Sequence, residues 1–113
     1  MTDRELLEAA AKACGIDGTY GVASDDYYYD GNVEGILTIL PDGQSYVWNP
    51  LTDDGDALRL MVGLRMNVHL DSNMVDVDPD GISWFSEAYG DDPLAATRRA
   101  IVRAAAEIGR SME

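Results

Sequence analysis

The residues from Asp76 to Glu87 have the spacing of a calcium-binding loop. Asp76, Asp78 and Asp80 stand at positions 1, 3 and 5, Gly81 at position 6 and Glu87 at position 12, which is the ligand pattern of a helix–loop–helix calcium site. Such a site needs a helix on each side, whereas here polar and apolar residues alternate before the motif and turn residues follow it. We therefore expect a β-hairpin with its turn before Gly81. Calcium binding by the four carboxylates remains the alternative.

A histidine and an aspartate two residues apart, His69 and Asp71, could form a catalytic pair on the polar side of a strand. No serine has the surroundings of a nucleophile. Cys14 falls on the apolar face of a predicted helix, as is typical of a small buried residue. Because Cys14 and His69 are the only cysteine and histidine, an internal disulfide and cysteine-rich or histidine-rich metal sites are excluded. We expect no enzymatic activity and no cofactor.

Negative charge dominates the composition. The 113 residues include 21 Asp and Glu against 8 Lys and Arg, giving a formal net charge of −13. Two windows without a lysine or arginine, residues 17–56 and 67–97, hold 16 of the 21 acids. This charge repels nucleic acid and anionic membranes and favours a partner protein with a basic surface. A solvated face that serves only solubility is the alternative.

A tyrosine cluster, Tyr27–Tyr29, lies inside the first window between Asp25–Asp26 and Asp30. Tyrosine provides a large contact area at low entropic cost and is common at protein interfaces. A strand whose middle tyrosine points outward would explain the same residues. The residues that we expect to bind a partner are acidic or aromatic and lie in the two windows: Asp25, Asp26, Tyr28, Asp30, Asp76, Asp78 and Asp80.

The elements that position these residues are predicted from caps, turns and periodicity. Thr2 and Glu5 form a capping-box pattern, Gly15 can end the first helix, and Asp92-Pro93 begins the last one. Residues 17–31 lack periodicity and are predicted to be loop plus an irregular strand. The other predicted elements are strands at 33–40 and 45–48, a helix at 56–66, strands near 68–71, 75–78 and 82–87, and a helix that continues to residue 112.

The order helix-strand-strand-helix-strand-strand-strand-helix predicts an α+β fold, a mainly antiparallel β-sheet packed by three helices in a single domain, residues 1–113. Period-2 alternation with acids on the polar phase predicts a sheet with one packed and one acidic face. Apolar side chains also define the expected core. They are Trp48, Trp84, most of the middle helix, and an inner face of the last helix comprising Leu94, Ile101, Val102, Ala105, Ile108 and Met112.

Two segments resemble a known family. Trp48-Asn49-Pro50-Leu51 precedes the middle helix that starts at Asp56-Ala57-Leu58, and Asp92-Pro93-Leu94 opens the last helix. This is similar to the small phage proteins with the phage ABA (alpha-beta-alpha) sandwich domain, NinX-like proteins included. The resemblance covers about residues 46–108. It implies helices on both faces of the sheet and a phage or prophage origin, and it supplies no catalytic residues.

Charge, the tyrosine cluster and the resemblance together favour a non-enzymatic phage accessory protein. Its expected partner is a host protein with a basic surface, and its expected location is the cytoplasm of the bacterial host. The most concrete form is an anti-defence inhibitor, similar to an anti-CRISPR, whose carboxylates occupy a groove that normally holds nucleic acid. A calcium or small-ligand module built on Asp76–Glu87, and a self-associating structural component of the phage, are the alternatives.

Overall fold

The computed structural model describes residues 1–24 and 32–112. Within them the chain forms three α-helices and two three-stranded antiparallel sheets, so the predicted α+β class is confirmed. The first sheet, sheet A, has the order β1-β2-β3, and the second, sheet B, has the order β4-β5-β6. The elements are α1 (Asp3–Cys14), β1 (Thr19–Ser24), β2 (Asn32–Ile39), β3 (Ser45–Trp48), α2 (Asp54–Gly63), β4 (Asn67–Leu70), β5 (Met74–Asp78), β6 (Phe85–Ala88) and α3 (Pro93–Ser111).

Two features of this architecture differ from the prediction. The strands form two sheets instead of one, because α2 intervenes between β3 and β4 and the two sets pair only among themselves. The aperiodic stretch after α1 contains a regular strand, β1, which pairs with β2 from Thr19 opposite Leu37 to Ser24 opposite Asn32. Pairing along a neighbouring strand thus overrides the weak periodicity of this glycine-containing segment.

The helix ends follow the local signals. The Thr2 hydroxyl accepts the Glu5 N–H at 3.1 Å while the Glu5 carboxylate accepts the Thr2 N–H, which completes the capping box. Gly15 ends α1 in the left-handed conformation, with φ of 75°. Asp92 caps α3 by accepting the Ala95 N–H at 3.0 Å. The predicted limits of α2 were wrong: Asp53 is its N-cap, and the helix runs from Asp54 to Gly63.

The core lies where the three helices meet the inner faces of both sheets. Leu7 from α1, Ile36 from β2, Leu60 from α2, Val77 from β5 and Ile101 from α3 belong to one cluster of buried residues. Helices α1 and α3 approach each other closely at Gly109. A Cβ atom at this position would lie 1.9 Å from the Ala9 carbonyl oxygen, so only glycine fits here.

Several side chains predicted to be buried are exposed. Leu94 in the first turn of α3 and Met112 at its C-cap lie at the two ends of the helix and are exposed. Leu58 and Val62 of α2 are also exposed, because α2 buries a single face comprising Asp56, Ala57 and Leu60. In the parts of the chain that the structure describes, no helix is long and apolar enough to cross a lipid bilayer.

Candidate protein interface on sheet B

The register of sheet B decides which residues face the core. Val75 and Val77 are fully buried and pair with Glu87 and Phe85. Glu87 forms an ion pair with Arg103 of α3, and the Arg103 guanidinium lies 5.6 Å from the centre of the Phe85 ring. Since residues opposite each other in an antiparallel pair share a face, these four strand residues form the inner face against α3. The residues between them point to the other side.

The outer face of sheet B is polar, as the alternation predicts. Asp76 pairs with Ser86, whose hydroxyl donates a hydrogen bond to the Asp76 carboxylate. His69 lies opposite Asp76 on β4, and its Nε2 is 3.2 Å from a carboxylate oxygen of Asp71, so the predicted His–Asp proximity is confirmed. Ser86 directs its proton to a carboxylate instead of an imidazole. This arrangement differs from the nucleophile–base pair that covalent catalysis uses.

The connection between β5 and β6 is held by two aspartates. Asp78 is buried, and its Oδ1 accepts the N–H groups of Asp80 at 3.0 Å and Gly81 at 2.6 Å. Asp80 Oδ1 accepts the N–H groups of Ile82 and Ser83, both at 2.8 Å. These two backbone donors lower the pKa of the exposed Asp80 carboxyl, because they stabilise its charged form.

The same hydrogen bonds change the predicted strand. The sequence pattern places a strand at 82–87, whereas β6 begins only at Phe85. The amides of Ile82 and Ser83 donate to Asp80, so they leave the strand ladder and lengthen the loop. The hairpin itself, with β5 antiparallel to β6, is confirmed.

Two large apolar side chains protrude from this loop. Ile82 is 85% exposed and Trp84 is 55% exposed, whereas Trp48 is only 4% exposed. The prediction that both tryptophans anchor the core was therefore right for Trp48 and wrong for Trp84. Trp84 lies immediately before β6, outside the strand ladder, whereas Phe85 pairs with the buried Val77. We call Asp76, Asp80, Ile82 and Trp84 the hairpin surface.

The structure brings together part of the predicted partner-binding set. Asp76 and Asp80 lie on the hairpin surface, and the buried Asp78 supports the loop instead of presenting its charge. The remaining four residues, Asp25, Asp26, Tyr28 and Asp30, lie outside the described residues. Sequence reasoning missed Ile82 and Trp84. The sequence offered no signal that separates Trp84 from Phe85, because both are large apolar residues on opposite phases of the predicted strand.

The calcium alternative requires Asp76, Asp78, Asp80 and Glu87 to converge. Asp76 and Glu87 instead lie on opposite faces of sheet B, and Glu87 is bound to Arg103. Asp78 and Asp80 are oriented toward backbone amides. Among residues 1–24 and 32–112, no group of three or more His, Cys, Asp or Glu side chains is placed to hold a metal ion. The geometry gives calcium binding no support.

Arginines from the helices neutralise other acids of the two windows. Arg98 of α3 reaches Asp54 at 2.6 Å, Arg59 reaches Asp56 at 2.8 Å, and Arg103 reaches Glu87. The two windows therefore contain no lysine or arginine of their own, but in the folded protein arginines from outside the windows lie next to these acids. The carboxylates of Asp76 and Asp80 differ, because the hydrogen bonds described for them come from a hydroxyl and from backbone amides. They carry their charge on the surface without an arginine partner among the described ion pairs.

A concave region lies between sheet A and α2, separate from the hairpin surface. It is an open cleft of about 970 Å³, lined by the end of α1 and by residues of β2, β3 and α2. On its wall the buried Asp56 accepts hydrogen bonds from the Tyr46 hydroxyl at 2.5 Å, from Arg59 at 2.8 Å and from the Asn49 N–H at 3.0 Å. Burial and the bond to Asp56 raise the pKa of Tyr46 to about 12. We call Tyr46, Asn49, Asp56 and Arg59 the Asp56 corner.

Comparison of the chain with models of protein families, with curated proteins and with solved structures finds no match. The resemblance to the phage sandwich proteins therefore remains a prediction from the sequence.

Proposed function

We propose that this protein is a non-enzymatic accessory protein that binds a basic surface of another protein through the hairpin surface. The observation that carries the proposal is the contrast between two kinds of acid. Asp54, Asp56 and Glu87 are neutralised by arginines of the same chain, whereas Asp76 and Asp80 are held by uncharged donors. Their charge is available to a partner.

Electrostatics favours this class of partner. A protein with a formal net charge of −13 attracts basic proteins and repels nucleic acid, and complementary charge accelerates association. The backbone hydrogen bonds that lower the pKa of Asp80 favour the charged form of its carboxyl. Fixed carboxylates on a preorganised loop are suited to arginine and lysine side chains that otherwise contact phosphates.

The most concrete form of the proposal is an anti-defence inhibitor of a phage, similar to an anti-CRISPR, acting in the cytoplasm of a bacterial host. Its target is a nucleic-acid-handling protein whose basic groove it occupies. The resemblance of residues 46–108 to small phage proteins supports the origin, and the acidic surface supports the mode of binding. The acidic tyrosine-rich segment 25–30 is proposed to extend the contact.

Neutralisation of the two aspartates of the hairpin surface, the half-buried Asp76 and the exposed Asp80, tests the proposal. Asparagine keeps the Oδ1 acceptor that the loop amides and Ser86 need, so Asp76→Asn with Asp80→Asn removes charge and preserves the fold. The matched control is Asp42→Asn with Asp91→Asn. It removes the same charge elsewhere, and Asp42 also accepts a backbone N–H, that of Gln44 at 3.0 Å.

The measurement is affinity capture from bacterial lysate by the tagged protein and both double variants, with elution by stepped salt and identification by mass spectrometry. We expect a basic nucleic-acid-handling protein that elutes at moderate salt. It is retained by the wild type and the control and lost with the hairpin variant. Equal recovery by the two double variants, or partners that do not respond to salt, would contradict the proposal.

A further inference from the structure

The hairpin surface contains more than charge. Ile82 and Trp84 are exposed although they are among the most apolar side chains of the loop. Burying a large apolar side chain at an interface stabilises a complex by removing it from water. Tryptophan in particular is enriched among the residues whose truncation costs most binding energy.

The loop backbone that carries Ile82 and leads to Trp84 is held by hydrogen bonds. Asp78 and Asp80 together accept four backbone N–H groups between residues 80 and 83. The backbone that carries Ile82 is therefore ordered before any partner binds. Preorganisation of this kind lowers the entropic cost of association.

Charge on the neighbouring residues narrows the choice of partner. Trp84 precedes Phe85 and Ser86, and the Ser86 hydroxyl donates to the Asp76 carboxylate; Asp80 is bonded to the amide of Ser83, the residue next to Trp84. If the rim of an apolar pocket on the partner were acidic, its charges would repel the carboxylates of Asp76 and Asp80. If the rim were neutral, these carboxylates would lose water without gaining a partner. A pocket with arginine or lysine side chains at its rim satisfies both the apolar and the acidic residues.

We propose that Trp84 and Ile82 form an apolar anchor that enters a pocket on the partner protein, while Asp76 and Asp80 bind arginine or lysine side chains around that pocket. This inference rests on the proposed function and adds the kind of partner surface that it requires. It also adds a consequence. Salt screens the exposed carboxylates over about 8 Å at physiological ionic strength, but it does not weaken apolar burial, so part of the affinity persists at high salt.

Two synthetic peptides of equal length and equal charge serve as probes. One alternates arginine with leucine and the other alternates arginine with serine. Binding to the full chain is measured by calorimetry and by the fluorescence of Trp84 in a Trp48→Phe background, at low and at high salt. We expect tighter binding of the arginine–leucine peptide, a shift in Trp84 emission, and a smaller loss of affinity at high salt than for the arginine–serine peptide.

The variants are chosen to separate the anchor from the charges. Trp84→Ala and Ile82→Ser remove the anchor, and Leu58→Ala is the matched control, because Leu58 is 56% exposed and lies on α2. Thermal melting verifies that each variant is folded. We expect Trp84→Ala to weaken binding of the arginine–leucine peptide by about tenfold or more, with no change for Leu58→Ala.

The outcomes distinguish this inference from the proposed function. Equal binding of the two peptides that depends on Asp76 and Asp80 but not on Trp84 would overturn the anchor and leave the electrostatic function standing. Failure of both peptides to bind, or binding that ignores the two aspartates, would overturn both. A decrease in the solution mass of the protein alone on Trp84→Ala would assign the patch to self-association and would also overturn the anchor.

Discussion

The hairpin loop and the Asp56 corner are both built around a buried aspartate, yet the two carboxylates are held differently. Asp78 accepts backbone N–H groups two and three residues further along the chain. Asp56 accepts hydrogen bonds from Tyr46 of β3, from Asn49, which directly follows β3, and from Arg59 of α2. The first carboxylate organises a local turn, and the second connects sheet A to a helix.

This difference explains where charge remains available. At the Asp56 corner an arginine neutralises the carboxylate, so the charge stabilises the fold. In the hairpin loop the carboxylates are satisfied by neutral amides, and Asp80 remains an exposed anion. Local hydrogen bonding thus leaves the loop with a net charge that tertiary ion pairs cancel elsewhere.

The two regions are expected to differ most in how much substitution of their tryptophans lowers the free energy of unfolding. Trp48 ends β3 next to the Asp56 corner and is buried, whereas Trp84 is exposed. We expect Trp48→Ala to lower the free energy of unfolding by about 3–5 kcal/mol because it leaves a cavity in the core. Trp84→Ala should change it by only about 0.5 kcal/mol. Urea denaturation measures both, and a large loss for Trp84→Ala would place that side chain in the core after all.

Asparagine substitutions compare the two buried aspartates directly. Asp56→Asn removes the charge that pairs with Arg59 and weakens the acceptor for Tyr46, so we expect a loss of about 2 kcal/mol in the free energy of unfolding. Asp78→Asn keeps the Oδ1 acceptor for the amides of Asp80 and Gly81, and we expect a loss below about 1 kcal/mol. Chemical denaturation of the two variants side by side tests the difference, and equal losses would contradict it.

The Asp56 corner also predicts a pH dependence at the alkaline end. The ordinary tyrosine pKa is 10.0, and that of Tyr46 in the folded protein is about 12. Between these values the unfolded chain loses the Tyr46 proton while the folded chain keeps it, so the free energy of unfolding must fall as the pH rises. Below pH 10 this contribution is fully present.

Tyr46→Phe isolates that contribution. The pKa of Tyr20 is also raised, because the Tyr20 hydroxyl donates a hydrogen bond to Glu34. The wild type and the Tyr46→Phe variant therefore both lose stability through Tyr20 as the pH rises. We expect the phenylalanine variant to be less stable near neutral pH by about 1 kcal/mol and to show a shallower decline between pH 10 and 12. Parallel curves for the two proteins would show that Tyr46 titrates normally.

The smallest expected effect concerns the ionisation of Asp80. Hydrogen bonds from the backbone of Ser83 and Ile82 lower its pKa below the ordinary value of 3.8. Its stabilising contribution is present above that value and is lost as the pH falls through the lowered pKa. Titration of the carboxyl carbons by NMR should give Asp80 a midpoint below the ordinary value of 3.8. A midpoint at or above the ordinary value would indicate that the loop amides are not bonded to it in solution.

Sequence reasoning was most successful where the interaction is between close neighbours. The Thr2–Glu5 capping box, the Gly15 helix end, the Asp92 cap and the hairpin around Gly81 are all local, and all are confirmed. Caps and turns connect residues within about four positions, so their partners are visible in the sequence. The α+β class follows from the order of such elements.

Predictions that required knowledge of distant partners were less reliable. The exposure of Leu58 and Val62 depends on how α2 meets α3, and the neutralisation of Asp54 depends on Arg98, which lies 44 positions further along the chain. The division of the strands into two sheets likewise depends on whether the strands before and after α2 pair with each other, and they do not. None of these partners can be identified from spacing alone.

The candidate interface combines both kinds of information. The sequence by itself determined that the chain is strongly acidic and that Asp76, Asp78 and Asp80 surround a turn, because composition and turn chemistry are local properties. Only the tertiary structure decided that Trp84 faces outward, that Asp78 is buried and that Glu87 is bound to Arg103 on the opposite face. The side on which Glu87 lies follows from the register of β5 and β6 against α3, since a shift of one residue exchanges the two faces of a strand. Asp78 has the parity of Asp76, and its burial instead accompanies the hydrogen bonds of its carboxylate to the amides of Asp80 and Gly81.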